Sequence, residues 1–243
     1  MRRAVLLAAL VALTLAACQS PAPRVAAPAE TVATPDLETL YARRRAQGHT
    51  VYRVDPAASD VRIYVFRGGR AARLGHNHVL SAPDFDGYVS LDGEAATSAH
   101  FDLRFAFEAL TIDDPALREA TGGSFAGPRS ESDIAGTRRN MLGERVLDAA
   151  NAPALHLHAL RVEGDWPVLV ARIAVDWRGR RHDDDVLLQV DRDDEGLRAR
   201  GELVLRQTDL GITPLSILGG LVAVQDPVGV RFDLRARKWR AEP

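Results

Sequence analysis

The sequence predicts an all-β fold, an antiparallel barrel or sandwich of about eight strands with one inserted helix. Three observations support this prediction. From Val51 onward, apolar and polar residues alternate with a period of two, which is typical of strands that bury one face. Residues that favour turns (Asp, Gly and Pro) separate the alternating runs. One stretch, roughly 133–147, has the spacing of a helix instead.

The composition is that of a globular chain able to bury a sizeable core. Of its 243 residues, 46% are hydrophobic and 26% are charged. The 31 basic residues do not outnumber the 33 acidic ones, so there is no positive excess to hold a polyphosphate and we expect no nucleic acid partner. A homodimer is compatible with the sequence. The single cysteine cannot form an intrachain disulfide.

Residues 1–17 have the pattern of a secretory signal peptide. Met1-Arg2-Arg3 is a basic start, and the uncharged run after it is shorter than the roughly 20 residues of a membrane-spanning helix. The run ends in Leu15-Ala16-Ala17-Cys18, which resembles the lipobox of bacterial lipoproteins. This resemblance implies cleavage before Cys18 and an acylated membrane anchor on that residue. Gln19 in the next position implies the periplasmic side of the outer membrane in the cell envelope.

Residues 18–50 are predicted to link this anchor to the folded domain. Prolines recur among Ala, Ser and Thr as far as residue 35, which predicts a semi-extended tether. A short helix is predicted from Asp36 to Gln47, because Asp36 can cap its N terminus and Gly48 ends it.

The strands are predicted to fill residues 51–238. The clearest one alternates Phe101, Leu103, Phe105 and Phe107 with the polar residues between them, and later runs lie near 154–163, 168–178, 185–191, 197–206 and 228–238. Barrels of this size either fill their interior or hold one small ligand. The residues predicted to face the interior and line a ligand site are Val61, Ile63, Val65, Phe85, Val89, Phe101, Leu103, Phe105, Phe107, Leu155, Leu157, Val230 and Phe232.

Four segments, in order and at suitable spacing, resemble the YceI-like family of periplasmic lipocalin-like barrels, over about residues 51–237. They are Val51-Tyr52-Arg53-Val54-Asp55-Pro56 with Ser59-Asp60-Val61, Phe85-Asp86-Gly87-Tyr88-Val89, Arg138-Arg139-Asn140-Met141-Leu142 with Leu147-Asp148 and Asn151-Ala152-Pro153-Ala154-Leu155, and Thr208-Asp209-Leu210-Gly211-Ile212-Thr213-Pro214 with Val224-Gln225-Asp226-Pro227-Val228.

This resemblance implies a lipocalin-like barrel that holds an isoprenoid or similar long-chain lipid, such as a quinone, in an apolar interior. The protein would then be a binding protein that needs no cofactor. A filled barrel with a structural role in the envelope stays open. The segment Leu74-Gly75-His76-Asn77-His78-Val79 departs from the family pattern by a second histidine.

Two His-x-His pairs are the sharpest polar motifs. On a strand, residues i and i+2 share a face, so His76 and His78 are candidates for contact with a ligand head group. The same spacing recurs at His156 and His158. If the two pairs were neighbours, their four imidazoles would make a metal site, and a metal-binding or metal-dependent envelope protein is the alternative function. No metal is part of the main prediction.

Other motifs indicate little chemistry. The run from Asp191 to Glu202 nearly matches a calcium-binding EF-hand loop, but its flanks are β-patterned and predict a hairpin turn. Signature motifs of hydrolases, zinc proteases and nucleotide-binding enzymes are absent, so we expect no enzyme and name no catalytic residue. The apolar run Leu215–Val224 is predicted to pack at one barrel end or to form a flexible lip there.

Overall fold

Alternating segments of the chain form one twelve-stranded antiparallel sheet in the computed structural model, which describes residues 36–240. The predicted signal peptide, Cys18 and the tether up to residue 35 lie outside the described residues. The strands are β1 (Thr50–Val54), β2 (Asp60–Gly68), β3 (His78–Ser81), β4 (Asp86–Leu91), β5 (His100–Ala106), β6 (Thr111–Ile112), β7 (Ala154–Asp165), β8 (Val168–Trp177), β9 (Arg180–Arg192), β10 (Gly196–Arg206), β11 (Ser216–Ile217) and β12 (Val222–Lys238).

The sheet closes on itself into a barrel of eight strands, which confirms the predicted fold class and excludes the sandwich. Strands β1, β4, β5, β7, β8, β9, β10 and β12 are hydrogen-bonded in that order, and β12 pairs back to β1. Closure pairs the strand edges that an open sheet would leave to solvent.

Strands β2, β3 and β6 extend the wall at one end of the barrel. One edge of β12 pairs with β1 at Ala236–Lys238 and with β2 between Ala223 and Asp233, so β1 and β2 act as a single strand with a bend. In the same way β3 continues into β4, and β5 into β6. The sequence predicted the long strands but not the short β3, β6 and β11.

Interior packing requires a glycine at one position of β4. A Cβ atom on Gly87 would lie 2.6 Å from Cδ2 of Leu103 and 2.8 Å from Cγ2 of Val54. The side chains of these two neighbouring strands therefore meet over Gly87, which explains the glycine in an otherwise branched and aromatic strand.

Within the described part of the chain, three α-helices accompany the barrel: α1 (Leu37–Ala46), α2 (Pro115–Thr121) and α3 (Glu131–Leu142). Helix α1 was predicted, and the Asp36 side chain accepts a hydrogen bond from the Thr39 amide at its N terminus. The prediction of one inserted helix was incomplete, because both α2 and α3 lie between β6 and β7. Helix α2 has only seven residues in a segment rich in Gly and Pro, too short for its periodicity to stand out.

Helix α1 packs on the outer face of the barrel against β1 and β4. Tyr41 is fully buried there and stacks on Tyr88, with ring centroids 5.1 Å apart. Trp239 meets the Tyr88 ring edge-on at 5.3 Å. The outer wall is thus covered by aromatic side chains at this point.

The structure shows the conformation of the Asp-rich run 191–202 and the exposure of the apolar run 215–224. The Asp-rich run forms the predicted hairpin between β9 and β10, where Asp193 Oδ1 accepts hydrogen bonds from the amides of Glu195 and Gly196. In the apolar run Leu215–Val224, the side chains of Ile217, Leu218 and Leu221 are exposed to solvent.

Among residues 36–240, no helix has the length and apolar character needed to cross a membrane.

Candidate functional site

The barrel encloses a cavity of about 140 Å³, and the described side chains that line it are all apolar. On β10 the lining runs from Leu197 to Leu203, and on the paired stretch of β12 from Val230 to Ala236. At about 3.4 Å per residue, each of these stretches is roughly 20 Å long. The lining of the cavity therefore extends along the barrel wall and is not confined to one point.

Eight of the thirteen candidate lining residues border this cavity: Val61, Val89, Phe101, Leu103, Phe105, Leu157, Val230 and Phe232. The other five, Ile63, Val65, Phe85, Phe107 and Leu155, belong to the apolar core without lining the cavity. Lining residues that the sequence did not single out come mainly from strands β7 to β12, where the same alternation was present but few residues were named: Val162, Leu169, Ile173, Val186, Leu188, Val190, Leu197, Ala199, Leu203, Leu234 and Ala236.

The size and lining of the cavity define what it can hold. An engineered protein cavity of similar volume lined by aliphatic and aromatic groups stays dry and binds benzene. A polar group brought inside would lose its hydrogen bonds to water, at a cost of about 1–3 kcal/mol. The cavity therefore suits a slender apolar chain and excludes a polar head.

Strands β9 and β10 are paired over only part of their length. Their pairing ends at the partners Leu188 and Gly201, although both strands continue past this point. Leu188 and Phe232 line the interior cavity and also a groove on the outer surface. A Cβ atom on Gly201 would lie 2.6 Å from the Phe232 ring, so the glycine makes room for that ring. Among the described residues, Leu188 and Phe232 are the two whose side chains line both the cavity and the groove.

The candidate head-group residue His78 takes part in a buried ionic network. It lies on the same face of β3 as Leu80, and its Nδ1 is 2.6 Å from Asp113 Oδ2. The other oxygen of Asp113 accepts hydrogen bonds from Arg118 Nη1 at 2.6 Å and from the Val79 amide at 3.1 Å. These bonds bring the pKa of Asp113 below its usual value although burial alone would raise it.

Arg118 fastens the inserted segment to the barrel. Its side chain is 1% exposed, and besides Asp113 it donates to the carbonyls of Asn77 and Gly127. His76, by contrast, is exposed, and its pKa is lowered by desolvation and by the positive charge of Arg129. The structure thus places His78 in the scaffold and His76 at the surface.

The second pair, His156 and His158, points away from the cavity, on the outer face of β7. The cross-strand partner of His158 is Asp102, a buried residue of β5. Among residues 36–240, the group of side chains placed to share a metal ion consists of Asp102, His156 and His158, with one donor atom from each within 4.8 Å of the others. It contains neither His76 nor His78. Sequence reasoning missed Asp102, although its place on the polar face of β5 was visible.

Hydrogen bonds hold the Asp102 carboxylate in place. His156 Nε2 lies 2.7 Å from its Oδ1, and the Tyr41 hydroxyl donates to its Oδ2 at 2.7 Å. Burial raises the pKa of Asp102, but these two bonds outweigh it and the net shift is downward. The carboxylate is therefore ionised at neutral pH.

The closed barrel and its apolar cavity define the architecture of a ligand-binding barrel. No protein-family model matches the sequence, and no curated protein matches it. Among solved structures, BcnA of Burkholderia cenocepacia superposes with a TM-score of 0.54 at 13% identity, over 75% of this chain and 98% of that one. The YceI protein of Campylobacter jejuni gives a TM-score of 0.48 at 9% identity, over 66% and 85%. The superposition on BcnA shows that the two chains share a fold at low sequence identity.

We predict that Arg118→Met destabilises the protein by about 3–5 kcal/mol, because the buried Asp113 charge would lose its guanidinium partner and keep only His78 and the Val79 amide. Urea unfolding followed by tryptophan fluorescence measures this loss. Arg161→Met is the matched control, since Arg161 pairs with Glu163 at 3.3 Å on the exposed surface and should contribute less than about 1 kcal/mol. Equal stabilities of the two variants would show that the network does not fasten the insertion.

Proposed function

We propose that this protein binds the hydrocarbon part of an isoprenoid or similar long-chain lipid inside its barrel, as a lipid-anchored protein of the bacterial cell envelope. The observation that carries the proposal is the cavity of about 140 Å³ with an entirely apolar lining. A cavity of this kind favours a hollow barrel over the filled barrel with a structural role. The chemistry proposed is binding, without a cofactor or catalytic step.

Hydrophobic transfer supplies the affinity in this proposal. Each methylene moved from water into an apolar site contributes about 0.8 kcal/mol. A few enclosed carbon–carbon units are therefore enough for measurable binding, and the absence of polar lining gives selectivity against charged metabolites. A quinone ring or another polar head would stay outside the lined region, because the interior offers it no hydrogen-bond partner.

Of the two histidines that the sequence predicts as contacts for the ligand head group, one lies at the surface. His76 is exposed, whereas His78 is engaged with Asp113. The proposal therefore keeps His76 as a head-group contact and assigns His78 to the scaffold.

The proposed location follows from the N-terminal sequence. The lipobox-like Leu15-Ala16-Ala17-Cys18 supports acylation of Cys18, and Gln19 supports the periplasmic side of the outer membrane. Two or more acyl chains hold a protein on a bilayer stably, whereas one does so only marginally. The barrel would then work within reach of the membrane that supplies its ligand.

We expect a non-covalent lipid to co-purify with the full-length protein and to be lost on Ala199→Phe. Ala199 lines the cavity, and a phenyl ring there would fill a space of the size that accepts benzene. Solvent extraction followed by mass spectrometry should give roughly tenfold less lipid per protein in this variant, equivalent to about 1.4 kcal/mol. The covalent acyl chains of the anchor stay on the protein and do not interfere.

The matched control is Val204→Phe, which places the same ring on the outside of the same strand, where Val204 is 63% exposed. This variant should keep its lipid. The absence of an extractable lipid from the unmodified protein, or equal amounts from both variants, would contradict binding in the barrel.

Acylation of Cys18 is tested separately. Cells fed an alkyne-tagged palmitate should label the unmodified protein, and Cys18→Ala should remove the label because the only thiol of the chain is gone. Ser20→Ala, two positions away, should keep it. A label that persists in Cys18→Ala would overturn the anchor without affecting the lipid-binding proposal.

A further inference from the structure

We propose that the outer wall of the barrel carries a binding site for one divalent transition-metal ion of the zinc class, with His156, His158 and Asp102 as its ligands. The site is separate from the lipid cavity, because its three side chains lie on the opposite face of β5 and β7 from the lining residues Leu103 and Leu157. It also differs from the four-histidine site suggested by the sequence, since it uses one His-x-His pair and a carboxylate.

The register between β5 and β7 brings the three proposed ligands together, and all three lie on strands. Asp102 of β5 is directly opposite His158 of β7, and His156 is two residues along the same face. The imidazole rings of His156 and His158 stack with centroids 5.0 Å apart. Three donor atoms, one from each residue, lie within 4.8 Å of one another. Ligands about 2.0–2.2 Å from one tetrahedral ion are about 3.3 Å apart, so small side-chain rotations would seat the ion.

An unsatisfied nitrogen indicates that this cluster is more than a structural hydrogen-bond network. His158 Nδ1 is buried and makes no hydrogen bond to any residue in the described range 36–240. The nearest acidic atom, Asp176 Oδ2, is 3.4 Å away and not aligned with it. Buried polar atoms are rarely left without a partner. A bound ion would resolve the deficit, either by taking Nδ1 as a ligand or by taking Nε2 while Nδ1–H turns toward Asp176.

Surrounding side chains provide the outer support that metal-binding histidines usually have. Arg181 holds Asp176 through two hydrogen bonds of 2.8 and 2.9 Å, which fixes this carboxylate beside His158. The Tyr41 hydroxyl binds the oxygen of Asp102 that does not face His156. A metal ion would replace the hydrogen bond between His156 and Asp102, but the bond from Tyr41 to Asp102 and the bonds from Arg181 to Asp176 could remain.

The donor set determines the class of ion. Two imidazoles and one carboxylate suit zinc and its neighbours in the first transition row, whereas calcium and magnesium prefer oxygen ligands alone. Three protein ligands leave one tetrahedral position for water or another small ligand.

Titration of the tag-free, full-length protein with Co²⁺ after treatment with a chelator tests the site, since Co²⁺ in a protein site of low coordination number absorbs visible light. We expect one equivalent to bind, and Zn²⁺ to displace it. His158→Ala and His156→Ala should each weaken binding by at least about 100-fold. Asp176→Asn, which alters only the support, should weaken it by about 10–100-fold.

His182→Ala is the matched control, because His182 also lies near carboxylates, those of Asp184 and Asp209, but each is 4.0 Å away. This variant should bind Co²⁺ like the unmodified protein. Circular dichroism of each variant checks that it is folded. Failure of the unmodified protein to bind one equivalent, or undiminished binding by folded His158→Ala, would overturn the proposal. Neither result bears on the lipid.

Discussion

Closure of the sheet along β12 is the constraint on which the rest of the structure depends. This strand pairs with β10 from Pro227 to Arg237 on one edge, and with β2 and then β1 on the other. Only because both edges are paired does the alternation of the other strands acquire an inside and an outside. An open sheet with the same residues would expose the Phe-rich face of β5 and leave two unpaired edges prone to aggregation.

Two kinds of site then arise from one alternating pattern. Along β5, Leu103 faces the cavity and Asp102 faces outward, and β7 repeats the arrangement with Leu157 and His158. The interior is lined by apolar side chains, whereas the outer wall places two imidazoles beside a buried carboxylate. A barrel wall one residue thick can therefore carry an apolar site and a polar site back to back, without loops or a second domain.

Much of this fold could be predicted from the sequence, because the long strands alternate strictly and turn residues separate them. The bends between β1 and β2 and between β3 and β4 could not, since short strands carry too little periodicity. The candidate sites were predicted in part. Alternation named apolar residues such as Phe101 that line the cavity. However, the meeting of Asp102 with the second histidine pair depends on the register between β5 and β7, which spacing along one strand does not define. The same limit applies to the engagement of His78 by Asp113.

Lipid binding in this barrel requires an interior that is hollow and accepts apolar matter. Diffraction from crystals held under xenon tests this requirement, because xenon enters dry apolar cavities of this size and scatters strongly. We expect xenon density inside the barrel, in contact with Phe232, Leu203 or their neighbours in the lining. Crystals that take up xenon only at the surface, or not at all, would indicate a filled barrel and rule out lipid binding in its interior.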